Sequence, residues 1–141
     1  MSFVLYVLLP AHVPPLSAVA LLVRAKSAFA DSKGWSASLE RQPFSDDMSV
    51  RLQWDDGWSA NLTLSAGPDV RNDSAEMSRR LGDKAPSGLE RIDRRIHVFL
   101  ADDPQGLHTT QMVDLMQFLE DIEGAIVFDP QKNKLLNQSP H

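Results

Sequence analysis

Residues 3–9 read F-V-L-Y-V-L-L, an apolar run without charge or helical gap, rich in β-branched and aromatic side chains and stopped by Pro10. A strand with one wet face alternates apolar with polar residues, whereas a strand buried on both faces reads as a continuous apolar run. The stretch is therefore expected inside a sheet, covered above and below. The remaining chain is then material that flanks it or covers it.

Working outward, Pro14-Pro15 opens a helical pattern in which Leu16, Val19, Ala20 and Val23 recur at three- and four-residue spacings, predicted to run to about Ala30 and to end at Asp31-Ser32-Lys33-Gly34. Trp35, Ala37 and Leu39 then alternate with Ser36, Ser38 and Glu40, the period of a strand with one core face. Residues 43–47, P-F-S-D-D, form a turn before Met48, Val50, Leu52 and Trp54 alternate again. The same pattern returns in Trp58, Ala60, Leu62 and Leu64 after Asp55-Asp56-Gly57.

Register selects the turn. A two-residue loop would set Trp54 against Ser59 and Leu52 against Asn61, mixing apolar with polar residues on one face. A three-residue loop, Asp55-Asp56-Gly57, sets Trp54 against Trp58, Leu52 against Ala60, Val50 against Leu62 and Met48 against Leu64. The spacing thus predicts a hairpin with Gly57 left-handed in a bulge, and a meander of three antiparallel strands from Trp35 to Leu64.

Gly67-Pro68 is expected to close that meander. A short helix capped by Asn72 or Asp73 follows, with Glu76 in capping-box spacing and Gly82 as its stop. Arg95–Leu100, R-I-H-V-F-L, reads as a second near-central strand. The turn Asp102-Asp103-Pro104-Gln105-Gly106 leads into a helix striped by Met112, Leu115, Met116, Leu119 and Ile122, with Val113 and Phe118 beside the stripe and Gly124 at its end. Ala125–Phe128 is a short strand, and the spacing from Arg95 to Phe128 predicts a right-handed parallel crossover. The chain is one α+β domain, 1–141, with a mixed sheet, two main helices and one short helix. A ferredoxin-like arrangement is one form of that class, and 130–141 is expected as a flexible polar tail.

Composition narrows function by exclusion. The 141 residues include no cysteine, which removes disulfides, thiolate metal sites and cysteine nucleophiles. No Lys or Arg precedes the first apolar run, and Pro10, His12, Pro14 and Pro15 interrupt it, so neither a secretory signal nor a membrane helix is expected and a cytoplasmic location is. A net charge of -5 disfavours nucleic acid and favours a basic partner.

No nucleophile elbow or glycine-rich phosphate loop is present, and His12, His97, His108 and His141 lack metal-ligand spacing. No cofactor or metal is expected. The pairs Asp46-Asp47, Asp55-Asp56 and Asp102-Asp103 suit turns, where aspartate bonds the nearby backbone. A small enzyme would have to assemble its pocket from Asp102, Asp103, His97 and Asp129.

Charge is unevenly spread. Residues 79–95 hold six basic side chains against three acids, and 96–141 hold seven acids against Lys132 and Lys134. Asp102, Asp103, Asp114, Glu120, Asp121 and Glu123 are accordingly candidates for receiving a basic partner. Trp35 and Trp58 are candidate aromatic anchors, if the apolar face of the meander is only partly covered.

The D-D-G-W turn and the closing L-M-Q-F-L-E-D-I-E-G-A-I-V-F-D-P-Q, on a small acidic chain without cysteine, resemble small bacterial immunity proteins. That resemblance covers mainly 95–136. It implies a cytoplasmic protein that neutralises a cognate toxin by direct binding, with no catalytic residue. The other classes left open are the small α+β enzyme and a homo-oligomeric regulatory module, such as a homodimer.

Overall fold

Leu5 and Val7 enter one hydrophobic core and Leu8 another, so the run at 3–9 is buried from both sides. The computed structural model describes residues 3–41, 43 and 47–136. The predicted turn at 43–47 falls largely outside them. In chain order the elements are β1 (Phe3–Leu8), α1 (Ala18–Ala28), β2 (Trp35–Arg41), β3 (Met48–Trp54), β4 (Ser59–Ala66) and α2 (Pro68–Leu81). Then come 3-10 turns at Gly82–Lys84 and Leu89–Arg91, β5 (Arg94–Leu100), α3 (Thr109–Glu120), β6 (Ile126–Asp129) and β7 (Lys134–Leu135).

The seven strands form one sheet in the order β2-β3-β4-β5-β1-β6-β7, with every pairing antiparallel. The expected mixed sheet is thereby corrected. β5 and β6 do run in the same direction, but β1 lies between them and pairs antiparallel with both, so the crossover through α3 spans a strand instead of joining neighbours. A ferredoxin-like arrangement is not shown. The meander β2-β3-β4 is as predicted, with Leu52 opposite Ala60 and Val50 opposite Leu62. Trp54 N–H donates to Trp58 O at 2.9 Å, Gly57 N–H to Trp54 O at 2.9 Å, and Gly57 has φ 93°.

Alternation along the strands builds two unlike faces. One carries Leu5, Val7, Val50, Leu52, Trp54, Ala60, Leu62, Ile96 and Val98, and is covered by Leu21 and Ala25 of α1 and by Leu115, Phe118 and Leu119 of α3. Each such large side chain contributes about 1.5–3 kcal/mol when fully buried. The opposite face is apolar only beneath α2, where Leu8, Ile126 and Phe128 meet Met77 and Leu81. Over the meander that opposite face carries Ser36, Ser38, Arg51, Gln53, Asn61 and Thr63.

Two helix starts and one helix face depart from expectation. α1 begins at Ala18 because Ser17 caps it, its hydroxyl accepting from Ala20 N–H at 3.0 Å, so Pro14-Pro15 precede the helix. α2 begins at Pro68, four residues before the expected caps, because proline at the first helical position loses no needed hydrogen bond; Gly67-Pro68 opens a helix as well as closing the meander. In α3, Phe118 belongs to the buried stripe, whereas Val113 is 61% exposed. The segment read as a polar tail pairs Lys134–Leu135 with β6, and residues 137–141 lie outside those described. Among the described residues, no helix is long and apolar enough to cross a membrane.

Candidate functional site

The helices α1 and α3 share the apolar face of the sheet, and their exposed flanks leave a groove between them. It encloses about 430 Å³ and is lined by Arg24, Ser27 and Ala28 from α1 and by Phe118, Asp121, Ile122 and Glu123 from the end of α3. Phe118 and Ile122 make an apolar floor, both being core residues that show only an edge to solvent. Phe29 braces Phe118 from behind, with ring centroids 5.9 Å apart.

The rim is acidic. Asp121 and Glu123 are exposed, Asp114 is exposed further up α3, and Glu120 is half-buried. Gln117 Nε2 donates to Asp121 Oδ1 at 2.8 Å, which fixes that carboxylate in place without neutralising it. No lysine or arginine occurs in residues 96–131, so the basic side chain beside this rim is Arg24 of α1. Cations are favoured at a helix C-terminus, and here the C-terminal turn of α3 carries carboxylates instead. This end of α3 therefore presents carboxylates, with Arg24 as a neighbour in the groove.

The other end of α3 is fastened. Asp103 accepts N–H bonds from Leu107 and His108, both at 3.0 Å, and its Oδ1 meets His108 Nδ1 at 2.8 Å. On the far side of the ring, His108 Nε2 meets Asp56 Oδ2 of the β3–β4 turn at 2.5 Å. Trp58 stacks on the imidazole at 4.8 Å with the planes 8° apart, and its Nε1 donates to Ala101 O at 3.2 Å. The hairpin loop and the entry to α3 are thus joined through one histidine.

The titration of this cluster follows from its contacts. Burial disfavours the charged ring of His108, but the bonds from Asp103 and Asp56 outweigh it and hold its pKa above the usual value. The bond from His108, helped by Trp58 N–H, lowers Asp56. Burial works to raise Asp103, yet His108 and the two backbone donors lower it overall. With a carboxylate on each nitrogen, the imidazolium donates both protons, and neither nitrogen is left to act as a base.

The remaining sequence candidates separate. His97 packs on Tyr6 at 5.0 Å, on the sheet face opposite Trp58 and His108, and burial followed by the Arg95 charge lowers its pKa. Asp129 is buried and accepts from Gln131 N–H at 2.9 Å within its own turn. The set Asp102, Asp103, His97 and Asp129 is therefore not one pocket. Asp102 is exposed. Among the described residues, no group of three potential ligands converges on a point that could hold a metal.

Trp58 is 4% exposed and cannot serve as a surface anchor, because the meander's apolar face is covered by helices where it lies. Trp35 is half-buried, edge-on to Phe29 at 5.5 Å, with its Nε1 donating to Ser32 O at 3.1 Å. The groove floor, Phe118 and Ile122, is what sequence reasoning missed. In the sequence both read as the core stripe of the helix or its margin, and only the placement of α1 beside α3 turns them into the base of a groove. In comparisons with family models, curated proteins and solved structures, nothing matches the chain.

Proposed function

We propose that the chain is a cytoplasmic binding protein of the immunity type, which neutralises a basic toxin by seating one of its lysine- or arginine-bearing segments in the α1–α3 groove. The observation that carries this reading is the combination of an apolar floor with an acidic rim at the end of α3. The stem of a long basic side chain packs on Phe118 and Ile122 while its charge meets Asp121 and Glu123. Asp114 and Glu120 extend the same field along the helix, and Asp102 lies exposed at its far end, where the charge of Asp103 is already answered by His108. Charge of this kind chiefly raises the association rate and guards against wrong partners; affinity comes from the desolvated floor.

The polar His108 cluster is consistent with a binding rather than catalytic role, since both of its ring nitrogens are engaged. The test uses the product of the neighbouring gene as the partner. Association is measured on a biosensor at two salt concentrations for the wild type and for E120K/D121K/E123K. The expected result is association slowed by about tenfold or more, with weaker salt dependence. Unchanged kinetics would remove the acidic rim from the function and shift attention to the basic segment 79–95.

A further inference from the structure

The two edges of the sheet are built differently. β7 ends it with Lys134–Leu135, a strand too short to template another and flanked by Lys132, which is how edges are ordinarily protected. β2, at the other edge, runs from Trp35 to Arg41 in unbroken register with no proline, no lysine and no bulge, and keeps Leu39 37% exposed. Its first five residues, W-S-A-S-L, carry no charge.

Asp55 N–H donates to Gly34 O at 2.8 Å, so Gly34 and Asp55 are directly bonded opposites, and by alternation Ser36, Ser38 and Glu40 also direct their N–H and C=O groups to β3. The groups of Trp35, Ala37, Leu39 and Arg41 therefore point outward. An antiparallel partner must bond to those odd-numbered residues.

A second copy of β2, turned about a twofold axis at Ser38, meets the requirement over the whole strand. Ala37 then faces Leu39 of the other copy, and Trp35 faces Arg41. These are the outward-bonding residues, and they lie on the helix-covered face, so Leu39 gains apolar cover and Arg41 lies beside an indole. On the other face Ser38 meets Ser38, and Ser36 meets Glu40. No like charges are opposed. We propose that the chain forms a twofold homodimer by antiparallel pairing of β2 with β2, continuing the sheet across two protomers. An isologous contact of this kind closes on itself, so it ends at two copies.

Three variants isolate the contact, because the chain has no cysteine and because proline at an odd position removes only an outward N–H. Sedimentation equilibrium from a few micromolar to several hundred micromolar should show a monomer–dimer equilibrium for the wild type. A37P should be monomeric, with an unchanged circular dichroism spectrum. Ser38 of each copy forms a non-hydrogen-bonded pair, in which Cα atoms come within about 4.5 Å, so S38C should oxidise to a covalent dimer while S36C does not. A wild type that stays monomeric throughout that range overturns the proposal. So does an A37P protein that still dimerises, or S36C and S38C crosslinking to the same extent.

Discussion

The two ends of α3 carry the same kind of side chain to opposite purposes. At its beginning, Asp103 and Asp56 are spent on His108 and on backbone N–H groups, locking the helix entry to the β3–β4 turn. At its end, Asp121 and Glu123 stand at the rim of a groove where Arg24 is the basic neighbour. Carboxylates thus do not mark a binding surface by number or by proximity in sequence. What matters is whether their charge is already answered within the fold.

The largest effect is expected from Phe118→Ala, which empties the groove floor and the core beneath it together. Replacing a buried phenylalanine in this way costs about 3–5 kcal/mol, to be read from denaturant unfolding. A loss below about 1 kcal/mol would mean that the floor is not part of the packed core. Next comes the turn that presents Asp56. Gly57→Val should destabilise by roughly 1–2 kcal/mol, because a β-branched side chain is strained at the φ of 93° found there. A neutral substitution would show that the turn is built differently.

The fastened end should also be visible in pH dependence. His108 is raised above 6.5, so its contribution to stability is full below the unfolded value of 6.5 and is lost as pH rises through the higher folded value. Asp56 and Asp103 are lowered from 3.8, so their contributions are present above 3.8 and are lost as pH falls through the lower folded values. His97, lowered from 6.5, acts in the opposite sense to His108 and contributes above 6.5. Subtracting the melting temperatures of His108→Gln from those of the wild type cancels the His97 part. The difference should be largest near pH 5 to 6, between about 4 and 6.5, and should shrink toward pH 9. A difference that grows with rising pH would contradict the latch.

The smallest effect on stability belongs to the open end. E120K/D121K/E123K should change unfolding free energy by no more than about 0.5 kcal/mol per site, as surface substitutions ordinarily do, since the side-chain hydrogen bond among them is that of Asp121 with its own helix neighbour Gln117. A large loss would show that those carboxylates are engaged in the fold after all.

Much of the fold was legible because alternation in a strand has only two phases. Trp54, Trp58, Leu52 and Ala60 could share a face in only one register, which required the three-residue turn and a left-handed Gly57. Sheet order was less legible. The spacing of β5, α3 and β6 says that the two strands run alike, but nothing local says that β1, from the far end of the chain, is inserted between them. The start of α2 was missed because Gly67-Pro68 signals a turn and a first helical position equally well.

The candidate site was half legible. Asp121 and Glu123 were readable as an acidic helix end, whereas the groove needed Arg24, Ser27 and Ala28 from another helix. The His108 latch was not readable, since Asp56 lies 52 residues away from it in the chain and looks like ordinary turn chemistry.

The most direct test of the account is an amide hydrogen-exchange footprint of the wild-type protein with its basic partner bound. The account predicts new protection at Arg24–Ala28 and Phe118–Glu123, with no change at Asp55–Trp58 or Asp103–His108. Protection confined to the His108 end, with the α1–α3 groove exchanging as in the free protein, would contradict it.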